Sequence, residues 1–198
     1  MSATRLLVLG AVIDRGDAHG YQVRKDLESW RVDLWGGIGQ GSIYHALRQL
    51  TAEGLLEHAD DDARSAGPAR TRYRPTDEGR RAFVELLERT LAADDASPGA
   101  AVAAIGFLPS LPRVRAILLL EQRLDAFRAK RERVVREHEQ TPDDDWGHHV
   151  EAIRYWDQTA SAEIAWTAQL LDRLRAGAHT LADDRPVADD EPRSSSTE

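Results

Sequence analysis

Within its first ninety residues the chain changes hydrophobic period twice. It goes from the three-and-four spacing of helices to the alternation of strands and back, and few small folds accommodate that order. Residues 3–15 carry Leu6, Leu7, Leu9, Val12 and Ile13 at helical spacing, and Gly16-Asp17 ends the run. Gly20 to about Trp30 reads as a second helix through Tyr21, Val23, Leu27 and Trp30. The glycine-rich stretch Trp35-Gly36-Gly37-Ile38-Gly39 reads as a loop. A third helix over about 41–53 sets Ile43, Ala46, Leu47 and Leu50 on one stripe, with Gly54 just past its end. Leu55–Ala59 and Thr71–Arg74 then read as strands, separated by a charged turn over 60–67. Thr76 followed by Asp77 and Glu78 opens another helix that runs to about Leu91. Three helices, a two-stranded wing and a fourth helix make a winged helix-turn-helix in a mostly α chain.

The second half is helical throughout. A linker over 93–100, Ala-Asp-Asp-Ala-Ser-Pro-Gly-Ala, precedes a short helix over 101–108 that ends at Pro109. One long helix is expected from Pro112 to about Gln140, marked by Ile117, Leu120, Leu124, Phe127 and Val134. A second is expected from about Trp146 to Ala176, where Val150, Ile153, Ala160, Ile164, Leu171 and Leu174 keep the rhythm of a helix–helix seam. The expected organisation is therefore a DNA-binding domain over 1–92, a helical dimerisation and effector domain over 93–181, and a disordered tail over 182–198.

Composition narrows the partners. Of 198 residues none is cysteine, so disulfides and thiolate metal sites are excluded. No apolar run is long enough to cross a membrane. The short apolar stretch after Arg5 is followed directly by Asp14, Arg15 and Asp17, unlike a signal peptide, so the expected compartment is the cytoplasm. The net charge is −8, yet residues 1–92 hold 13 basic and 14 acidic side chains while 93–198 hold 13 and 20. The acidity sits mainly in the second half, and binding double-stranded DNA needs only a local basic face.

Removing the apolar stripe of the third helix leaves Ser42, Tyr44, His45, Arg48 and Gln49 facing outward. Arg can pair bidentately with guanine and Gln with adenine, while Ser and Tyr hydroxyls reach phosphates. Along the second wing strand Arg70, Arg72 and Arg74 alternate with Thr71 and Tyr73, which sends three guanidinium groups to one face. A single winged domain covers too few base pairs to select a site in a genome, so a homodimer is expected, with two recognition helices about 34 Å apart.

The segments His19-Gly20-Tyr21-Gln22-Val23, Gly41-Ser42-Ile43-Tyr44-His45-Ala46-Leu47-Arg48-Gln49-Leu50, Glu53-Gly54-Leu55-Leu56, Gly67-Pro68-Ala69-Arg70 with Tyr73-Arg74, and Thr76-Asp77-Glu78-Gly79 resemble the motifs of PadR-type transcriptional regulators. The resemblance covers about residues 5–90. It implies a dimer that binds inverted-repeat operators, usually as a repressor, and often releases DNA when a small molecule binds. It also implies that Tyr44 and the Arg70–Arg74 strand lie on DNA. The family's wing usually carries paired aromatics where this chain has Arg72-Tyr73, and the turn Asp60-Asp61-Asp62 is unusually acidic.

Trp30, Trp35, Trp156 and Trp166 are candidates for an aromatic effector pocket or for dimer packing. His148 and His149 beside Asp143–Asp145 suggest a metal by composition only, because adjacent helical residues diverge by about 100°; no metal is expected. No glycine-rich phosphate loop or catalytic triad is present, so neither an enzyme nor a cofactor is expected. The alternative reading is a protein-interaction module that uses the winged helix as a scaffold without DNA, and the acidic balance keeps it open.

Overall fold

A computed structural model describes residues 3–59, 71–140 and 147–184. The wing turn over 60–67, Arg70, Asp143–Asp145, Trp146 and the tail over 185–198 lie outside the described residues. Helices α1 (Ala3–Arg15), α2 (Gly20–Ser29) and α4 (Gln40–Ala52) stand where the periodicity predicts them. The glycine-rich loop is preceded by one turn of helix, α3 (Val32–Trp35), too short to leave a periodic trace. The wing strands β2 (Leu56–Ala59) and β3 (Arg72–Pro75) pair antiparallel, with Tyr73 opposite His58. A two-residue strand, β1 (Ala18–His19), joins the other edge of β3, so the sheet has three strands in the order β1-β3-β2. The expected two-stranded wing thus gains a third strand that anchors its base to the end of α1.

Helix α5 (Asp77–Ala92) starts at Thr76, whose hydroxyl accepts from the Gly79 amide at 3.0 Å. Beyond it come α6 (Pro98–Gly106), α7 (Arg113–Gln140) and α8 (Val150–Arg175). The last two run antiparallel, tied across by Arg175–Glu121 and Arg131–Asp157. The expected tail boundary moves outward. Leu181 is buried, and Asp183 and Asp184 return to the start of α7. The Asp183 carboxylate accepts from the Arg113 amide at 3.0 Å, while the Arg113 guanidinium donates to the carbonyls of Leu174, Ala178 and His179. Arg113 thereby satisfies carbonyls at and beyond the C-terminus of α8.

One hydrophobic core runs through both halves. Leu6, Leu9, Leu47, Leu50 and Leu87 of the winged helix share a cluster with Leu120, Leu124, Leu171 and Leu174 of the long pair. Helix α6 and the residue after it form the seam. Phe107 is buried with its ring edge-on to Phe83 at 5.2 Å and to Trp30 at 5.8 Å. It lies against the backbone of α1 at Gly10, where an added Cβ would come within 2.3 Å of the ring. Only glycine at position 10 leaves that slot open.

Gly10→Ala and Phe107→Ala should therefore each destabilise the fold in urea, the second by about 3–5 kcal/mol. The cost of Gly10→Ala should fall sharply in a Phe107→Leu background, because the clash partner has shrunk. Additive costs in that double variant would show that the ring does not occupy the slot.

Candidate nucleic-acid interface

Helix α4 exposes two ridges. Ile43, Ala46, Leu47 and Leu50 are buried, while Ser42, His45, Arg48 and Gln49 are exposed and Tyr44 is half-buried. Ser42, His45 and Gln49 follow one another at helical spacing and border a cleft of about 640 Å³ against Thr4 and Arg5 of α1. Tyr44 and Arg48 form the other ridge and turn toward the wing. Both act electrostatically on Tyr73, whose phenol is pushed up by burial while Arg48 pulls it down and Tyr44 up. Between that ridge and the wing lies a second cleft of about 500 Å³, bordered by His19, Tyr21, Tyr44, Thr71 and Tyr73.

The close approach of α2 to α4 depends on Gly20. A Cβ there would sit 2.8 Å from the Tyr44 ring. The His19 and Tyr21 rings stack at 5.7 Å beside it, and the His19 amide donates to the Gln22 side chain at 2.8 Å. Sequence reasoning did not single out Arg5, His19 or Tyr21 as site residues. The signal for the last two was their place in the His-Gly-Tyr segment directly before the buried Val23. Nothing local marks Arg5, which reaches α4 only through tertiary packing.

The wing arginines differ in status. Arg72 donates twice to the Asp17 carboxylate, at 2.7 Å to each oxygen, so it braces the sheet against the end of α1. Arg74 is exposed and forms no ion pair among the described residues. Arg70 lies outside the described residues. On the far side of α4, Arg5 bonds Glu53 at 2.9 Å, which leaves that cleft neutralised at rest. Hydrogen bonding to Arg72 holds the Asp17 carboxyl below its ordinary range, with the charges of Arg72, Arg74 and His19 adding to the effect. Hydrogen bonding to Arg5 lowers Glu53 in the same way.

The four tryptophans do not share a pocket within the chain. Trp30 and Trp35 wall a cleft of about 390 Å³ with Phe107, Leu7 and Val102. The Trp35 indole donates to the Trp30 carbonyl at 3.0 Å. Trp166 borders a separate apolar groove of about 630 Å³ between α6 and α8, and the half-buried Trp156 borders neither. Among the described residues no group of three or more potential metal ligands gathers, and no helix is long and apolar enough to cross a membrane.

Residues 8–85 match the model of the Transcriptional regulator PadR-like family. Among solved structures the chain is similar to Bacillus subtilis PadR in complex with operator DNA, at 20% identity and a TM-score of 0.39, covering 86% of this chain and 98% of that one. It is similar to the same protein in complex with p-coumaric acid, at 19% identity and 0.38, covering 87% and 99%. A PadR-like transcriptional regulator from Bacillus cereus gives 20% and 0.37, covering 88% and 99%. No curated protein matches the chain.

The depressed Asp17 carboxylate sets an acid limit on the wing. A lowered pKa adds stability that is complete above the unfolded value, 3.8 for Asp17, and is lost as pH falls below it. Amide protection factors across β1 and β3 should therefore hold from neutral pH to about 4 and decline below that. Asp17→Asn should lower them already at neutral pH, and unchanged protection in that variant would show that Arg72 does not brace the sheet.

Proposed function

We propose that this chain, a PadR-like transcriptional regulator by its residues 8–85, binds double-stranded DNA with the exposed face of α4 in the major groove and the wing beside it. The observation that carries the reading is the division of α4. Its stripe Ile43, Ala46, Leu47 and Leu50 is buried, and every polar side chain between Ser42 and Gln49 is at least partly open to solvent. A helix so divided, with Arg48 in no ion pair among the described residues and Gln49 exposed beside it, presents groups that fit guanine and adenine edges. Tyr44 and Arg74 supply phosphate contacts, as does Arg70, which lies outside the described residues. Arg72 contributes by bracing the strand that carries Arg74.

The functional unit is a homodimer on an inverted repeat, and it acts as a repressor by covering its operator. Helix α8 is the natural dimer element. It extends about 39 Å at 1.5 Å per residue over its 26 residues, with Tyr155 exposed and Trp156 and Ile153 half-buried. The Trp30–Trp35 cleft is the place for a flat aromatic effector, because Trp35 leads directly through Gly36–Gly39 into α4. A ligand that moves Trp35 moves the entry to the recognition helix. Titration with a flat two-ring aromatic compound should quench tryptophan fluorescence and lower operator affinity, and both responses should vanish in Trp35→Ala. An effect that survives that substitution would locate the effector elsewhere.

Selection of binding sites from a random-sequence duplex library with the full chain supplies the operator. On that operator Arg48→Ala should cost about 1–3 kcal/mol, with a much smaller loss on random DNA. Equal losses on both would make Arg48 a phosphate contact. Failure of the folded chain to enrich any sequence would favour the interaction-module reading instead.

A further inference from the structure

Helix α7 carries three cations in one line, Arg115, Arg123 and Lys130, spaced eight and seven residues apart and hence on one face. Each grips the stretch of chain that leaves the winged helix. Arg115 pairs with Glu88 near the end of α5, with both hydrogen bonds at 2.6 Å. Arg123 donates to the carbonyl of Ala93, the first residue after α5. Lys130 lies 3.3 Å from the carbonyl of Asp94 and 3.5 Å from its carboxylate. The outer two are partly exposed, as surface pairs usually are.

Arg123 is different. Its side chain is only 4% exposed, and it also reaches Glu163 on α8 at 3.0 Å. Its guanidinium packs over the Phe127 ring, 4.7 Å from the centroid. Its Nε is buried without a hydrogen-bond partner among the described residues. A buried cation paired with one half-exposed carboxylate and carrying an unpartnered N–H is a poor source of stability, since an apolar side chain of similar volume often does as well or better there. What a guanidinium supplies and an apolar group cannot is direction. Its planar fork fixes two partners relative to each other. Here those partners are the exit of the winged helix and the middle of α8. The apolar contact of Phe107 holds the halves together, but it lets them slide over small distances as directional hydrogen bonds do not.

We infer that Arg123 is a positioning residue that sets the orientation of the winged helix on α8, and thereby the spacing between half-sites that the dimer accepts. The inference rests on the proposed reading of the chain as a dimeric DNA binder held together through α8. Two recognition helices must lie about one helical turn of DNA apart, 10–10.5 base pairs centre to centre, and one added base pair rotates a half-site by roughly a tenth of a turn. A rigid joint penalises that rotation, whereas a loose joint absorbs it.

The test uses the full chain and the operator enriched by wild type from the duplex library, with one base pair inserted or deleted between the half-sites. Wild type should prefer its own spacing by about tenfold or more, equivalent to ~1.4 kcal/mol. Arg123→Met keeps the volume and removes the fork. It should remain dimeric in sedimentation, bind one isolated half-site as wild type does, and bind the three spacings within about threefold of one another. Glu163→Ala changes only the half-exposed partner, so it tests the same joint if Arg123→Met fails to fold, and it should narrow the wild-type preference in the same direction. Folded, dimeric variants that keep the full wild-type preference would overturn the inference. A wild type that enriches single half-sites and no inverted repeat would instead strike the dimeric reading, and this inference with it.

Discussion

Helix α4, the proposed recognition helix, is held hard on one side and bare on the other, and the packing of the winged helix is arranged around that division. Helix α4 sinks Ile43, Leu47 and Leu50 to within a few per cent of full burial. Burial of that kind is worth about 1.5–3 kcal/mol for each large side chain. The surfaces that receive it are supplied by α1, α2 and the wing base, so the exposed ridge Ser42–His45–Gln49 needs no support from its own side chains. The same logic explains the polarity of its flanks. Its exposed side chains can remain solvated because the backbone beneath them is already fixed.

The wing is placed by a different interaction. Strand β3 runs through the middle of the small sheet, and its central Tyr73 is buried with its ring edge-on to His58, bordering a cleft shared with Tyr44. Asp17 then fastens Arg72 from outside. Helix α6 forms the seam with the other half. Phe107 seats in the slot at Gly10, and the Trp30–Trp35 cleft opens beside it, so the loop that enters α4 touches the structure that leads to α7 and α8.

Much of this was legible in the sequence, and what was not has physical causes. The stripe and outward set of α4 follow from a strong 3.6-residue period over thirteen residues; the inward four are buried and Ser42, His45, Arg48 and Gln49 are exposed, while Tyr44, read as outward, is half-buried against the core. Elements of two and four residues, β1 and α3, carry no period to detect. The order of Asp183 and Asp184 comes from bonds to Arg113 some seventy residues away, invisible to a local reading that saw a polar tail from 182 onward. Alternation correctly set Arg72 and Arg74 on the face opposite Tyr73, but it could not reveal that Asp17 holds one and leaves the other open. The four tryptophans were grouped by type alone, and packing distributes them among separate surfaces.

Hydroxyl-radical footprinting of the full chain on its selected operator tests the central claim most directly. The account predicts two protected patches on one face of the duplex, centred about one helical turn apart, with protection lost together when Arg48 and Gln49 are both replaced by Ala. Protection of a single patch, or a footprint unchanged by that double replacement, would contradict it.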